Sequence, residues 1–252
     1  MQNLLFHAMI FSQTTDLALG AAAVAGAAYA VANAALRPGS QLFGSTLVAG
    51  RNPQEIALTY DDGPNDAATG ELLEVLALHN ARANFFMIGR FVRQRPEIVR
   101  AVQAAGHLIG NHTETHPWLA WQSARVIREE LRTCNEALED ALGAPVRYFR
   151  PPHGARRPAV MRIARELGLT TVQWNVMGFD WEPIGADGIV RHVDRGLARA
   201  QRRGVGANVL LHDGYDQAMG TDRSATVKAT GTLLERFSRE GKRVVTVDAW
   251  KS

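Results

Sequence analysis

The sequence predicts an α/β protein, a (β/α) barrel of about seven parallel strands, and three observations lead there. Short β-rich runs alternate with segments of helical period from residue 56 onward, a pattern that implies a mostly parallel sheet. No glycine-rich phosphate fingerprint follows the first run, which argues against a doubly wound dinucleotide fold. Polar clusters fall at the ends of the predicted strands, where the loops of a β/α barrel build active sites.

The elements follow in order. IALTY at 56–60 is the first strand, and a helix over 69–79 comes next with Asn80 as its stop. NFFMI at 84–88 is the second strand, before a helix near 96–105 closed by Gly106. HLIGN at 107–111 is the third. Residues 124–142 form the clearest amphipathic helix, opened by Ser123 and stopped by Gly143. YFR at 148–150 precedes a helix over 157–167 with Val160, Ile163, Ala164 and Leu167 on one face. TTVQW (170–174), a helix over 187–201, NVLLH (208–212), a helix over 225–240 and RVVTV (243–247) complete the seven strands.

The chain of 252 residues is long enough for one large domain, and 46% apolar residues supply a full core. Its net charge of +3 comes from 25 arginines and only 3 lysines, scattered rather than gathered into a basic stripe interleaved with aromatics. Nucleic acid is therefore not an expected partner. The single cysteine, Cys134, shares a helical face with Leu131 and Leu138 and reads as a core thiol, not a nucleophile.

Three regions are expected: an apolar segment at 1–36, a lead-in at 37–53 rich in Gly, Pro and Ser, and a catalytic domain at 54–252. Residues 17–36 carry no charge and 11 alanines. Their length suits a membrane anchor, and a small-residue helix packed on the domain is the alternative. Length and absence of charge favour membrane association. With Arg37 and Arg51 following the segment, the positive-inside rule would leave the following domain in the cytoplasm.

The polar clusters carry the chemistry. TYDDGP (59–64) sets Asp61 beside Asp62, two like charges that are costly to bury unless paired or bound to a cation. NHTETHPW (111–118) spaces His112 and His116 at i and i+4, expected on one side of a helical turn, which suits two imidazoles on one metal. One of the two aspartates can complete that ligand set while the other stays free as a base, the arrangement that metal-assisted hydrolysis needs. RPPHG (150–154) gives a stiff turn, with Arg150 able to pair with a carboxylate and Gly154 leaving room for a ligand. GFDWEP (178–183) offers Asp180 as a partner for that arginine and Trp181 as a wall. LLHDG (210–214) ends a hydrophobic strand on His212, an imidazole able to protonate a leaving group.

Taken in order and spacing, TYDDGP, HTETH, RPPHG, DW and LLHDG resemble the five motifs of the polysaccharide deacetylase family, carbohydrate esterase family four with its NodB-homology domain. The resemblance covers about residues 55–248, and ANFFMIG (83–89) and DRSATV (222–227) add to it. It implies a distorted (β/α) barrel and a Zn²⁺ site, with Co²⁺ or another divalent metal able to substitute. It makes Asp62, His112 and His116 the ligands, Asp61 the base, and His212 the general acid. Arg150 would orient Asp61, Asp180 would hold Arg150, and Leu211 with Trp181 would take the acetyl methyl group. His153 stands where the family commonly has an aromatic residue, so its backbone N–H keeps an oxyanion role while its ring alters the pocket wall. Met177 and Gly178 also replace residues that are often polar.

The implied activity is removal of acetyl groups from an N-acetylated glycan such as peptidoglycan or chitooligosaccharide. An O-acetyl esterase on xylan-like glycans, a deformylase-like or other non-sugar amidohydrolase and an inactive glycan-binding module are the alternatives. The implied location is the bacterial cell envelope or the exterior.

Overall fold

The computed structural model describes residue 19 and residues 21–250. In chain order these residues form helix α1 (21–36), β1 (Glu55–Gly63), α2 (Ala68–Leu78), β2 (Asn84–Met87), α3 (Gly89–Gln94), α4 (Pro96–Ala104), β3 (Leu108–Asn111) and α5 (Ala124–Leu142). After these come β4 (Tyr148–Phe149), α6 (Pro158–Glu166), β5 (Thr170–Thr171), β6 (Val176–Met177), α7 (Gly185–Arg202), β7 (Ala207–His212), α8 (Ser224–Arg239) and β8 (Arg243–Val244). All the strand pairs are parallel, and the strand order is β5-β4-β3-β2-β1-β7-β6, with β8 joined to β1. The sheet curls into a half-barrel whose ends, β5 and β6, do not pair among the described residues. The predicted barrel class is therefore correct in its distorted form.

Local chemistry explains the boundaries. The Ser123 side chain accepts the Val126 N–H at the start of α5, and Gly143 ends that helix at φ 65°. Pro96 and Pro158 occupy first-turn positions of α4 and α6, where a missing N–H costs nothing. The central strand β1 is buried over all but its first residue, as a parallel strand covered on both faces must be. Leu58, Tyr60, Phe85, Val92, Leu131, Phe149 and Leu211 belong to one continuous core between sheet and helices, and Cys134 lies in it as expected. Expected strand 170–174 is shorter in the structure. Its last residues leave the ladder, because Val172 bridges to Leu47 and the Gln173 carbonyl turns to Arg150 and Asn208.

Of the N-terminal segment, residue 19 and residues 21–36 are described. Residues 17, 18 and 20 lie outside the described residues. Helix α1 projects Val24 and Tyr29 into solvent at 71% and 72% exposure, and only its last turn docks, through buried Ala34 and the Ala35 carbonyl. Among the described residues no helix is long and apolar enough to cross a membrane, so a spanning anchor is not supported.

Arg156 ties this segment down. It is 1% exposed, and it donates to the carbonyls of Gly154, Arg37, Pro38 and Ser40 at 2.7–3.2 Å with no carboxylate partner among the described residues. Burial pushes its guanidinium down to about 10. Arg156→Met leaves those carbonyls without a donor and is expected to cost about 1–3 kcal/mol. A lowered melting temperature and faster proteolysis within residues 37–44 would show it.

Candidate metal centre and active site

Parallel strands bring their C-terminal ends to one rim, and the register places the polar residues there level with one another. Asp61 of β1 lies beside Phe86 of β2 and His212 of β7, and Asn111 of β3 beside Met87 and Phe149. In an unbroken strand Asp61 and Asp62 would face opposite sides of the sheet. They do not, because β1 carries a bulge. Its pairing steps from Asp61–Phe86 to Gly63–Met87, and Asp62 is the extra residue, held at φ 71°. The pair thus lies inside β1, beyond the expected strand end at Tyr60. Asp61 keeps its backbone role, its carbonyl accepting the N–H groups of Asp213 and Gly214.

His112 and His116 are not on a helical turn. They lie in a loop after β3, where Thr113 and His116 take φ values of 68° and 63°. Two side chains hold that shape: Asn111 Oδ1 accepts the Thr113 N–H at 2.7 Å, and Thr113 Oγ1 accepts the His116 N–H at 3.0 Å. The loop brings both rings to one aspartate. Asp62 Oδ1 lies 3.4 Å from His112 Nε2 and 3.2 Å from His116 Nε2.

The donor atoms of Asp62, His112 and His116 lie within 4.8 Å of one another and can hold a metal ion. Asp62 Oδ1 is buried yet has no hydrogen-bond partner, a costly state that a cation relieves. Burial raises the proton affinity of the Asp62 carboxyl, but the facing His112 and His212 outweigh burial and hold it well below its usual range. His116 is pushed down to about 3 by burial and by His112, which leaves its ring neutral and its lone pair available. The carbonyl of Arg150 sits 2.8 Å from His112 Nδ1 and fixes that ring with Nε2 toward Asp62. For His112, burial lowers proton affinity, and the facing Asp61 and Asp62 raise it by more. Two imidazoles and a carboxylate with open positions suit a divalent transition metal.

Two charged pairs flank this cluster. Arg150, fully buried above the Phe86 ring, donates to Asp61 Oδ1 at 2.8 Å and to Thr59 Oγ1 at 2.7 Å. Asp180 does not hold Arg150, contrary to expectation. Arg150 instead turns its second nitrogen to the Gln173 carbonyl and Asn208. Asp180 binds His212, with Oδ1 at 2.8 Å from Nδ1 and Oδ2 accepting the His212 N–H at 2.7 Å and the Thr226 hydroxyl at 2.9 Å. Burial lowers His212, and Asp180 more than offsets it, so the imidazole is pushed up to about 9.

The rim encloses a cavity of about 370 Å³ lined by Asp61, Asp62, His112, His116, His212 and, on its walls, His153, Trp181 and Leu210. Leu211, expected in this wall, lies in the core on the other face of β7. Strand period puts Leu210 on the side of His212, so the error was one of parity. Trp181 stands edge-on to His212 at 5.4 Å. His153 stacks on Trp118 at 4.0 Å and meets the edge of His116 at 4.7 Å. Gly154 serves packing, since a Cβ there would lie 2.7 Å from the Trp174 ring. Trp174, Tyr215, Asp216 and Arg223 also line the cavity and were missed. Tyr215 and Asp216 directly follow LLHDG and belonged to a longer reading of that cluster.

Comparisons with known proteins agree with this geometry. The family model described as polysaccharide deacetylase matches residues 49–172. A chitooligosaccharide deacetylase of Rhizobium leguminosarum bv. trifolii is 42% identical over 191 residues, covering 75% of this chain and 84% of the relative. A peptidoglycan-N-acetylglucosamine deacetylase of Bacillus cereus is 37% identical over 198 residues, covering 78% and 87%. The crystal structure of a peptidoglycan N-acetylglucosamine deacetylase superposes with a TM-score of 0.73 at 30% identity, covering 81% of this chain and 91% of that one. With sequence, fold and the placement of the polar rim in agreement, the chain belongs to the polysaccharide deacetylase family.

Proposed function

We propose that this protein is a metal-dependent hydrolase that removes acetyl groups from N-acetylglucosamine units of a glycan, with Zn²⁺ as the resident metal. The observation that carries the reading is the pair of oppositely assigned dyads, Arg150–Asp61 and Asp180–His212, on two sides of one three-donor cluster in a single cavity. Relatives acting on chitooligosaccharide and peptidoglycan support the substrate class.

Asp62, His112 and His116 would hold the ion, which when bound supplies Lewis-acid polarisation of the acetyl carbonyl and of water. Asp61, aimed by the Arg150 guanidinium, accepts a proton as water adds to the carbonyl carbon. By the family pattern the His153 backbone N–H would meet the growing oxyanion, and Leu210 with Trp181, both in the cavity wall, would receive the methyl group. His212 then gives its Nε2 proton to the departing nitrogen as the C–N bond breaks, yielding acetate and a free amine. Asp180 holds that ring in orientation and keeps it protonated. For such a substrate the site of action is the cell envelope or exterior.

The test is acetate release from N-acetylated chitooligosaccharides and peptidoglycan before and after chelation. Loss with a chelator and recovery with Zn²⁺ are expected, and activity indifferent to chelation would overturn the reading. A pH profile checks the acid. His212 must be protonated to act, so activity falls as pH rises past its pKa. Asp180→Asn removes the charge that raises that pKa, and its alkaline limb is expected about 1–2 pH units lower. A bound cation lowers both profiles together and leaves this difference in place. An unshifted limb would remove His212 from the acid role.

A further inference from the structure

Beside the active-site cavity lies a second and larger one, of about 630 Å³, between the last turns of α1, the segment 37–48 and the end of α7. Its charged lining residues are Arg37, Arg199 and Arg203, with no acid among the residues that line it. None of the three arginine side chains has an ion pair among the described residues. Arg199 and Arg203 stand four residues apart at the end of α7 and so share a face. Arg156 adds a further uncompensated cation beneath, since its carbonyl partners Arg37, Pro38 and Ser40 are themselves in the wall.

A scatter of solvated arginines would neither enclose a groove nor adjoin the chemistry. This groove does both, for Trp174 and Met177 line it and the active-site cavity alike. Trp174 also carries a buried indole N–H with no acceptor. Phe179, another wall residue, packs against Trp181 at 5.3 Å. Through these shared walls a polymer seated with one acetamido group beside Asp61 can extend into a cationic trough.

We infer that the Arg37–Arg199–Arg203 groove is a subsite for a free carboxylate borne by a neighbouring sugar of the same glycan, which makes an acidic chain the preferred substrate over a neutral one. The inference rests on the deacetylase reading above for the choice of a glycan. Guanidinium groups bind carboxylates through paired N–H donors, and the match would act mainly on KM because the groove does not touch the reacting atoms.

The test uses glycan chains in which N-acetylglucosamine alternates with a carboxyl-bearing sugar, and the same chains as methyl esters. For the full-length protein, kcat/KM is expected about tenfold higher on the acid form, with the gain in KM and shrinking as salt rises. In Arg199→Ala/Arg203→Ala the acid-to-ester ratio falls towards one, and in Arg199→Glu/Arg203→Glu it inverts. These are exposed positions at a helix end, and circular dichroism confirms folding. A ratio unchanged in both variants overturns the subsite. Calorimetric binding of both chain forms separates the two readings: acid-selective, arginine-dependent binding without acetate release supports the subsite and sinks the deacetylase. Acetate release with no acid preference does the reverse. Arginine-dependent binding of phosphatidylglycerol vesicles or inorganic phosphate, with an acid-to-ester ratio of one, overturns the glycan assignment in favour of another anion.

Discussion

Asp62→Ala is expected to empty the metal centre and to lower acetate release by roughly 10³-fold or more, to the level of the chelated enzyme. Asp62 is the only anionic donor of the cluster, and without it two imidazoles remain to bind the cation. Metal content after dialysis reads the effect directly. A second measure needs no activity: added Zn²⁺ raises the melting temperature of the parent protein by mass action and leaves the variant unmoved. A variant that keeps its metal and its rate would place the centre elsewhere.

Asp61→Asn is the second large effect, and its signature differs. The amide keeps an oxygen for Arg150 Nη1, so the buried guanidinium is not stranded and the fold is preserved. It cannot take a proton from water. The expected result is a fall in kcat of ~10²–10⁴ with little change in KM. Metal content stays at the parent level, because Asp61 Oδ2 is 3.8 Å from His112 Nε2 and lies outside the three-donor set. Adjacent carboxylates would thus separate into a variant without metal and a variant with metal but no turnover. If both variants lost metal equally, the division of labour between them would be wrong.

The sheet was legible because its physics is repetitive. Seven strand-like runs separated by helical periods leave few alternatives to a parallel barrel, and the structure adds only short elements such as α3 and β6. The two residues of β6 leave no periodicity to detect. The site was legible in its residue types and in the Arg150–Asp61 pair, but not in the partner of Asp180. Asp180 had two cations to choose from, Arg150 and His212, and charge complementarity alone does not choose between them. The choice is made by the β7 backbone, whose His212 N–H and ring both present to Asp180. Leu211 is a different kind of error, since strand parity was available and names Leu210. The bulge at Asp62 and the loop shape at His116 were invisible for a third reason. Left-handed φ values at residues other than glycine leave almost no trace in a sequence pattern.

Those left-handed residues restrict which donors this centre can employ. Two of its three candidate ligands, Asp62 at φ 71° and His116 at φ 63°, occupy a backbone region that costs most side chains about 1–2 kcal/mol per residue. Aspartate and asparagine enter it most readily. Glutamate or cysteine at 62, although good ligands for many cations, would each carry that conformational penalty before reaching any ion. Attempts to re-tune the metal preference by exchanging ligands are therefore filtered by the backbone first. The tolerant route is asparagine at 62, a change of charge without a change of shape.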